Sequence, residues 1–362
     1  MISGTIAGSS SFTVYPLGEI TITRPSSSYY YISYSPSTAS GTMWIKSTST
    51  ATPVSYQISS YSGMLKFSGS YPQYLSFESC NWSSIKTNIP MFNESLAFAR
   101  CSTLQNADLY SCTSLSTNAF LYCSSLSQVS LPMCGYIGSS AFERCTSLIQ
   151  VSLPMCEYIG YGAFYNCYNL RSINFPVCSY ISGYAFTYCY SLSQVSLPVC
   201  EYIDEVVFYD CSSLTQIDLP MCSYIGTSAF NSCSSLSQVS LPLCSYIGWG
   251  GFAYCSSLSQ INLPVCSYIN NFAFASCYSL TRASLQVCSY IGVYAFNSCS
   301  SLSIITIGYS GVCSLDGISV FDGTKITSST GSIYVPASLV SAYKSASNWS
   351  KYSAIIQSYP GL

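Results

Sequence analysis

The 362-residue chain is 49% apolar but only 7% charged, with a formal net charge of −2 and no histidine. Without a Lys/Arg cluster there is no field to gather phosphate backbones or anionic lipid, so nucleic acid is not an expected partner. Without histidine, His general bases, Ser-His-Asp and Cys-His nucleophiles and His-ligated metals are unavailable, which removes most hydrolase mechanisms.

Residues 1–78 have no long period. Short β-type runs, Ser11 to Tyr15, Glu19 to Thr23, Tyr29 to Tyr34, Thr42 to Lys46 and Val54 to Ser59, alternate with Gly, Pro and Ser clusters. That spacing predicts a small β-sandwich or barrel-like domain, acting either as a spacer or as a docking module. Met1 to Gly8 contain no basic segment followed by an apolar run, so a signal peptide is not expected if Met1 is the native start. No stretch approaches the roughly 18 consecutive apolar residues of a membrane span, and direct membrane insertion is not expected.

From Cys101 to Cys299 nineteen cysteines follow one another at intervals of eleven residues. Disulfide scaffolds have irregular spacings, so this is a structural period. Two intervals make one 22-residue rung, C-x-S-L-x-x-V-x-L-P-x-C-x-Y-I-G-x-x-A-F-x-x, as in Cys123 to Arg144 and Cys145 to Asn166. Full rungs begin at 123, 145, 167, 189, 211, 233, 255 and 277. Degenerate ones begin near 79 and at 101, and Leu302, Ile305 and Ile307 open another, as expected where a stack is capped. Leu126, Val129 and Leu131 have the spacing of a short strand with its inward face apolar. Pro132 ends its pairing, and the second half of the rung turns at Gly138 and buries Ala141 and Phe142. A rung's apolar side chains contribute roughly 1.5–3 kcal/mol each, against about 1–2 kcal/mol of backbone entropy per ordered residue. Only stacked rungs are stable.

At the C-terminal end, Gly331 to Pro336 repeats the strand-plus-proline signal. Ala337 to Ser345 and Trp349 to Ile356 have helix-compatible spacing, with Leu339, Tyr343 and Trp349 inward. The predicted fold class is a mainly β repeat solenoid, a leucine-rich-repeat stack of about ten 22-residue rungs over residues 79–310. A small N-terminal β domain (1–78) precedes it, and a short helical C-terminal cap (311–362) follows.

The alternation L-x-x-V-x-L-P, followed by Y-I-G-x-x-A-F-x-x-C, resembles the BspA-like, or treponemal-type, leucine-rich repeats of bacterial and protist surface proteins. The resemblance covers about residues 79–307 in eight successive matches, although the family usually has a 23-residue repeat and seldom cysteine at these positions. It implies a curved solenoid with an adhesion or host-interaction role, and no enzyme. The segment from Ile333 to Ile356 is similar to the C-terminal cap of such proteins.

The cysteine columns admit three chemistries: metal binding, redox exchange and stapling. No C-x-x-C pair occurs, so metal is not expected. Rungs about 4.8 Å apart in register hold Cβ atoms parallel at the rung spacing, not at the ~3.8 Å of a disulfide. Free, buried thiols with S–H turned to a carbonyl are expected, as in a chain folded in a reducing cytoplasm. That expectation fits a virion component released by lysis better than a protein exported by the common secretion route.

The remaining columns divide by character. Ser127-Gln128, Ser193-Gln194, Ser237-Gln238 and Ser259-Gln260 form a monotonous lattice, either plain solvated sheet or a surface for a repeating polymer. The invariant Tyr136, Tyr158, Tyr180, Tyr202, Tyr224, Tyr246, Tyr268 and Tyr290 predict a packed structural ladder. The columns around the A-F turn vary and are aromatic, and supply the candidate ligand-binding residues Tyr161, Tyr165, Tyr184, Tyr188, Tyr209, Trp249, Tyr254, Phe272 and Tyr294; Tyr168, Tyr190 and Tyr278 are their neighbours. Asp204, Glu205 and Asp210 are the only local acidic cluster, and weak Ca²⁺ binding there is the one metal reading considered. No catalytic residue, metal ligand or cofactor is expected. The functional expectation is a non-enzymatic recognition or adhesion protein on a cell or virion surface, with a host-surface protein or glycan as partner. The alternative is a structural protein of a bacteriophage virion, fibre or capsid decoration, docked by residues 1–78 to virion proteins or to copies of itself.

Overall fold

Apolar side chains recurring every 22 residues oblige each rung to lie on the next, and the computed structural model of the chain shows that stack. It describes residues 76–78, 80, 82–92, 95–328 and 330–359 in full, and the backbone of seven strands between residues 2 and 76. The chain is a parallel β-solenoid of the leucine-rich-repeat type with about 12 turns and almost no helix. The turn beyond the expected set carries Ser332–Val335, whose Ile333 pairs with Ile305 although its cysteine and Y-I-G columns are gone. The chain divides into two compact units, Met1–Pro176 and Val177–Leu362.

In the first unit the strands Trp82–Thr87, Asn106–Asp108, Gln128–Ser130, Gln150–Ser152 and Ser172–Asn174 form one parallel ladder. Each residue pairs with its counterpart one rung on, as Val151 does with Ile173. The two-residue strands Met91–Phe92, Ser114–Leu115, Tyr136–Ile137 and Tyr158–Ile159 form a second ladder. The A-F segment makes a third side without strands: Phe120 N–H donates to Ala141 O and Phe142 N–H to Ala163 O, both at 2.7 Å. The first ladder has no exposed N-terminal edge, because Tyr30–Pro36 pairs antiparallel with Trp82–Thr87. Capping an edge in this way protects it from strand addition by other chains. Ile2–Ile6, Ser10–Pro16, Gly63–Ser68 and Tyr30–Pro36 run on from that edge as antiparallel neighbours, and Gly41–Lys46, Val54–Ile58 and Tyr74–Ser76 form a separate sheet. The expected strand from Glu19 to Thr23 lies outside the described residues.

The second unit repeats the arrangement from Gln194–Ser196 to Ser332–Val335, and its second ladder runs from Tyr180–Ile181 to Ser314–Leu315. Its core is a column of phenylalanines, Phe186, Phe208, Phe230, Phe252, Phe274, Phe296 and Phe321, with ring centroids 5.1–5.7 Å apart and nearly parallel planes. Offset stacking of this kind adds about 0.5–1.5 kcal/mol per pair beyond burial. The strand valines depart from expectation in part: Val195 and Val239, like Val129 in the first unit, are half-buried, whereas Ile217 and Ile261 are buried.

The C-terminal segment corrects one expectation. Ala337–Leu339 and Val340–Ser345 are helical, but Trp349 to Ile356 gives only the short 3₁₀ turn Ser350–Tyr352, followed by the strand Ile356–Ser358. That strand pairs parallel with Ser332–Val335, whose unpaired edge offers bonds that outweigh local helix spacing. Tyr343 and Trp349 are buried as expected; Leu339 is half-buried, and Tyr352 takes the third inward place. Cys313 holds two of the cap's rings, its N–H donating to Tyr343 Oη at 2.9 Å and its carbonyl accepting Trp349 Nε1–H at 2.6 Å, while Asn348 Nδ2 donates to Leu315 O and Tyr352 Oη to Ile318 O.

Candidate recognition surface

With the cysteine of the full rungs as position 1, so that Cys123 opens one and Cys145 the next, the A-F segment is residues 17–22 of each rung. Positions 18 and 22 are left-handed in every full rung: Tyr184 and Tyr188, Val206 and Asp210, Phe272 and Ser276, Tyr294 and Ser298 all have φ between 57° and 61°. The conformation turns the N–H groups of positions 18, 20 and 22 toward the next rung, as when Phe272, Phe274 and Ser276 donate to Val293, Ala295 and Asn297. Gly and Asn suit this backbone, as at Gly162, Gly250 and Asn166, but Ser140, Ser228, Arg144 and Val206 adopt it as well. A bulky side chain there costs about 1–2 kcal/mol. Five of the nine candidate residues, Tyr184, Tyr188, Tyr254, Phe272 and Tyr294, accept that cost.

The structure brings some of the nine together. Trp249, Phe272 and Tyr294 form a three-rung run with centroids 5.4 and 5.1 Å apart, and Trp249 remains 45% exposed. Tyr188 meets Tyr209 edge-on at 5.7 Å and Tyr190 at 5.9 Å, so the neighbouring column contributes a ring to the cluster. Tyr254 is 54% exposed at a left-handed position of the rung that carries Trp249. Tyr161 and Tyr165 belong to the first unit, Tyr161 exposed and Tyr165 half-buried, and Tyr184 is half-buried in the second. No charged side chain is part of either ring cluster, so these are platforms for packing and for phenol or indole hydrogen bonds.

The invariant tyrosines are stacked as expected, at 4.4–5.7 Å through the second unit, but they stand on the surface, half-buried. Tyr136 is 45% exposed because its partner in the rung before is Ser114, which covers no ring face. Position 16 regulates this ladder. It is glycine where backbone passes close, and a Cβ on Gly248 would lie 2.7 Å from Gly226 C. Where Asp204 and Asn270 replace glycine, each engages a tyrosine hydroxyl: Tyr180 Oη donates to Asp204 Oδ2 at 3.0 Å, and Asn270 Nδ2 donates to Tyr246 Oη at 2.9 Å. Asp204 thus serves the tyrosine ladder, with its other oxygen accepting the Glu205 N–H at 2.7 Å.

All 21 cysteines are buried thiols outside any disulfide. In the position-1 column the thiol donates to the phenylalanine carbonyl 25 residues earlier, as Cys255 does to Phe230 O at 3.2 Å. In the position-12 column it donates to the tyrosine two residues on, as Cys244 does to Tyr246 O at 3.2 Å. Burial pushes Cys178 and Cys222 up to about 11 and Cys200 and Cys266 up to about 12. Thiols so far from ionisation are poor nucleophiles at neutral pH.

One surface escaped the reading of the sequence. Position 11, after the proline, is an exposed aliphatic residue in all eight full rungs: Met133 and Met155 in the first unit, then Val177, Val199, Met221, Leu243, Val265 and Val287 in the second. The signal was present as a column written "x" that never contains a polar residue.

Residues 70–193, 135–244 and 223–346 match the model of the BspA type leucine rich repeat region, in six copies. No curated protein matches the sequence. Among solved structures, similarity extends to a leucine rich cell surface protein from Faecalibacterium prausnitzii A2-165, at 23% identity, covering 60% of this chain and 76% of that one, with a TM-score of 0.34. A leucine-rich repeat protein from Bacteroides ovatus ATCC 8483 is 18% identical over 68% of this chain and 96% of that one, TM-score 0.32. The pneumococcal vaccine antigen PcpA is 16% identical over 70% and 77%, TM-score 0.36.

Proposed function

We propose that this chain, which belongs to the BspA-type leucine-rich-repeat family, is a non-enzymatic recognition or adhesion protein that binds a host-surface protein or glycan through its aromatic turn edge. The observation that carries this reading is the run of large rings Trp249, Phe272 and Tyr294 across three rungs, with Trp249 about half exposed and Tyr254, exposed too, in the rung that carries it. Tyr and Trp there offer rigid area with one polar atom each, the chemistry of protein and sugar recognition. Display on the outside of a cell or particle is part of this reading. Among the described residues no helix is long and apolar enough to cross a membrane.

The test uses the whole chain on glycan and host-protein arrays, followed by Trp249→Ala and Tyr254→Ala on whatever is captured. Both side chains are about half exposed, so the variants should keep the parent's circular dichroism and melting temperature while capture falls at least about tenfold, roughly the loss of one good aromatic contact. Variants that capture as well as the parent would remove the aromatic edge from consideration.

A further inference from the structure

We infer that the position-11 stripe of the second unit is a self-association surface, on which a second copy of this chain docks antiparallel about a two-fold axis. Val177, Val199, Met221, Leu243, Val265 and Val287 are each 40–48% exposed. They lie three residues before the in-register pairs Tyr180 to Tyr202, Tyr202 to Tyr224, Tyr224 to Tyr246, Tyr246 to Tyr268 and Tyr268 to Tyr290, and so form one row. Prolines flank five of the six, from Pro176 to Pro264. Together these side chains expose on the order of 400 Å² of apolar surface, within the range of the largest patch on a typical monomer, which is often functional. Position 13 beside it is serine in five of the six rungs, whereas position 11 is aliphatic in all six.

Spacing identifies the occupant. The row repeats once per rung, about 4.8 Å. A helix presents apolar residues about every 5.4 Å along its axis, and an extended strand presents one face about every 6.7 Å. Neither keeps step with six rungs. A second stack of the same rungs does, and like aliphatic rows at this repeat interdigitate as they do between paired sheets.

Charge fixes the direction. At positions 10, 11 and 13 of these six rungs Glu201 is the only ionic residue. Parallel docking in register would set Glu201 against Glu201 of the partner. Antiparallel docking about an axis between Met221 and Leu243 sets it beside the Ser267 rung and closes the pair as a dimer with no further growth. The apolar row supplies about half of the roughly 800 Å² per partner of a standard interface, so a weak, reversible dimer is expected. This surface is distinct from the aromatic edge, and the inference stands whether or not that edge captures a ligand.

Sedimentation equilibrium of the full chain under reducing conditions, up to about 100 µM, is the measurement. The wild type should dimerise, and the Met221→Asp, Leu243→Asp double variant should be monomeric with unchanged circular dichroism and melting temperature. In the antiparallel register residue 221 faces residue 243 of the partner, so the Met221→Lys, Leu243→Asp double variant should dimerise again, with added salt weakening it. A wild type that stays monomeric at the highest concentration overturns the inference, as does an Asp, Asp variant that associates like the parent. Failure of the Lys, Asp variant to recover overturns the antiparallel arrangement.

Discussion

Val206 and Tyr254 show how a repeat can hide its strained residues. Both sit at positions whose φ is set by the ladder, 59° and 61°, and nothing in their side chains prefers that conformation. Val206 shares its position with Gly162 and Gly250, and a β-branched residue is the least suited to it. Val206→Gly should therefore stabilise the chain by about 1 kcal/mol, the relief of roughly 1–2 kcal/mol of left-handed strain less the entropy that glycine loses on folding. Thermal melting of the two proteins side by side reads this directly, and a lower melting point for the variant would show that the half-buried valine packs for more than its backbone costs. No rule of composition marks these positions in the sequence, because Tyr, Val, Arg and Asp occupy them as freely as Gly does.

At the scale of the element, the phenylalanine column is the part of the second unit most sensitive to truncation. Phe230 is fully buried, stacked on Phe208 at 5.2 Å and on Phe252 at 5.1 Å. Phe230→Ala leaves a cavity between two rungs that cannot close without breaking the ladder bonds from Phe208 to Ala229 and from Phe230 to Gly251. A loss of about 3–5 kcal/mol is expected, read by denaturant titration. This column was legible beforehand, since Phe recurs every 22 residues with Ala before it. The tyrosine column was equally periodic, yet periodicity could not say whether its stack lay inside or on the surface. Stacking depends only on the rung spacing, whereas burial depends on what lies across the element. Likewise the segment after Trp349 had helical spacing and became a strand because a ladder edge lay beside it.

For the whole molecule, the position-12 cysteine column couples stability to alkaline pH. The thiols of Cys178, Cys222, Cys200 and Cys266 stand at about 11 to 12 in the folded chain against an ordinary value of 9.0. Burial holds each proton on, so this stabilisation is complete below pH 9. Between about pH 9 and 12 the unfolded chain releases protons that the folded one keeps, and stability falls by up to about 1.4 kcal/mol per thiol per pH unit. The melting temperature, followed from pH 8 to 11 in reductant, should be flat and then drop steeply, and the drop should lessen when Cys178 and Cys222 are replaced by alanine. A flat profile through pH 11 would mean that the thiols reach solvent.

By itself the sequence determined the rung: its length, its inward Leu, Ile, Ala, Phe and Cys, the need for neighbours, and the fate of the thiols. These follow from period and burial, which act within a rung and between identical neighbours and so repeat in the sequence as they do in space. Only the tertiary structure decided which columns face water. It placed Met221 and Leu243 outside despite their apolarity, set aromatic rings on left-handed backbone, and gathered Trp249, Phe272 and Tyr294 from three rungs into one run. Those outcomes depend on how a turn of chain closes on itself, and no residue type records that closure.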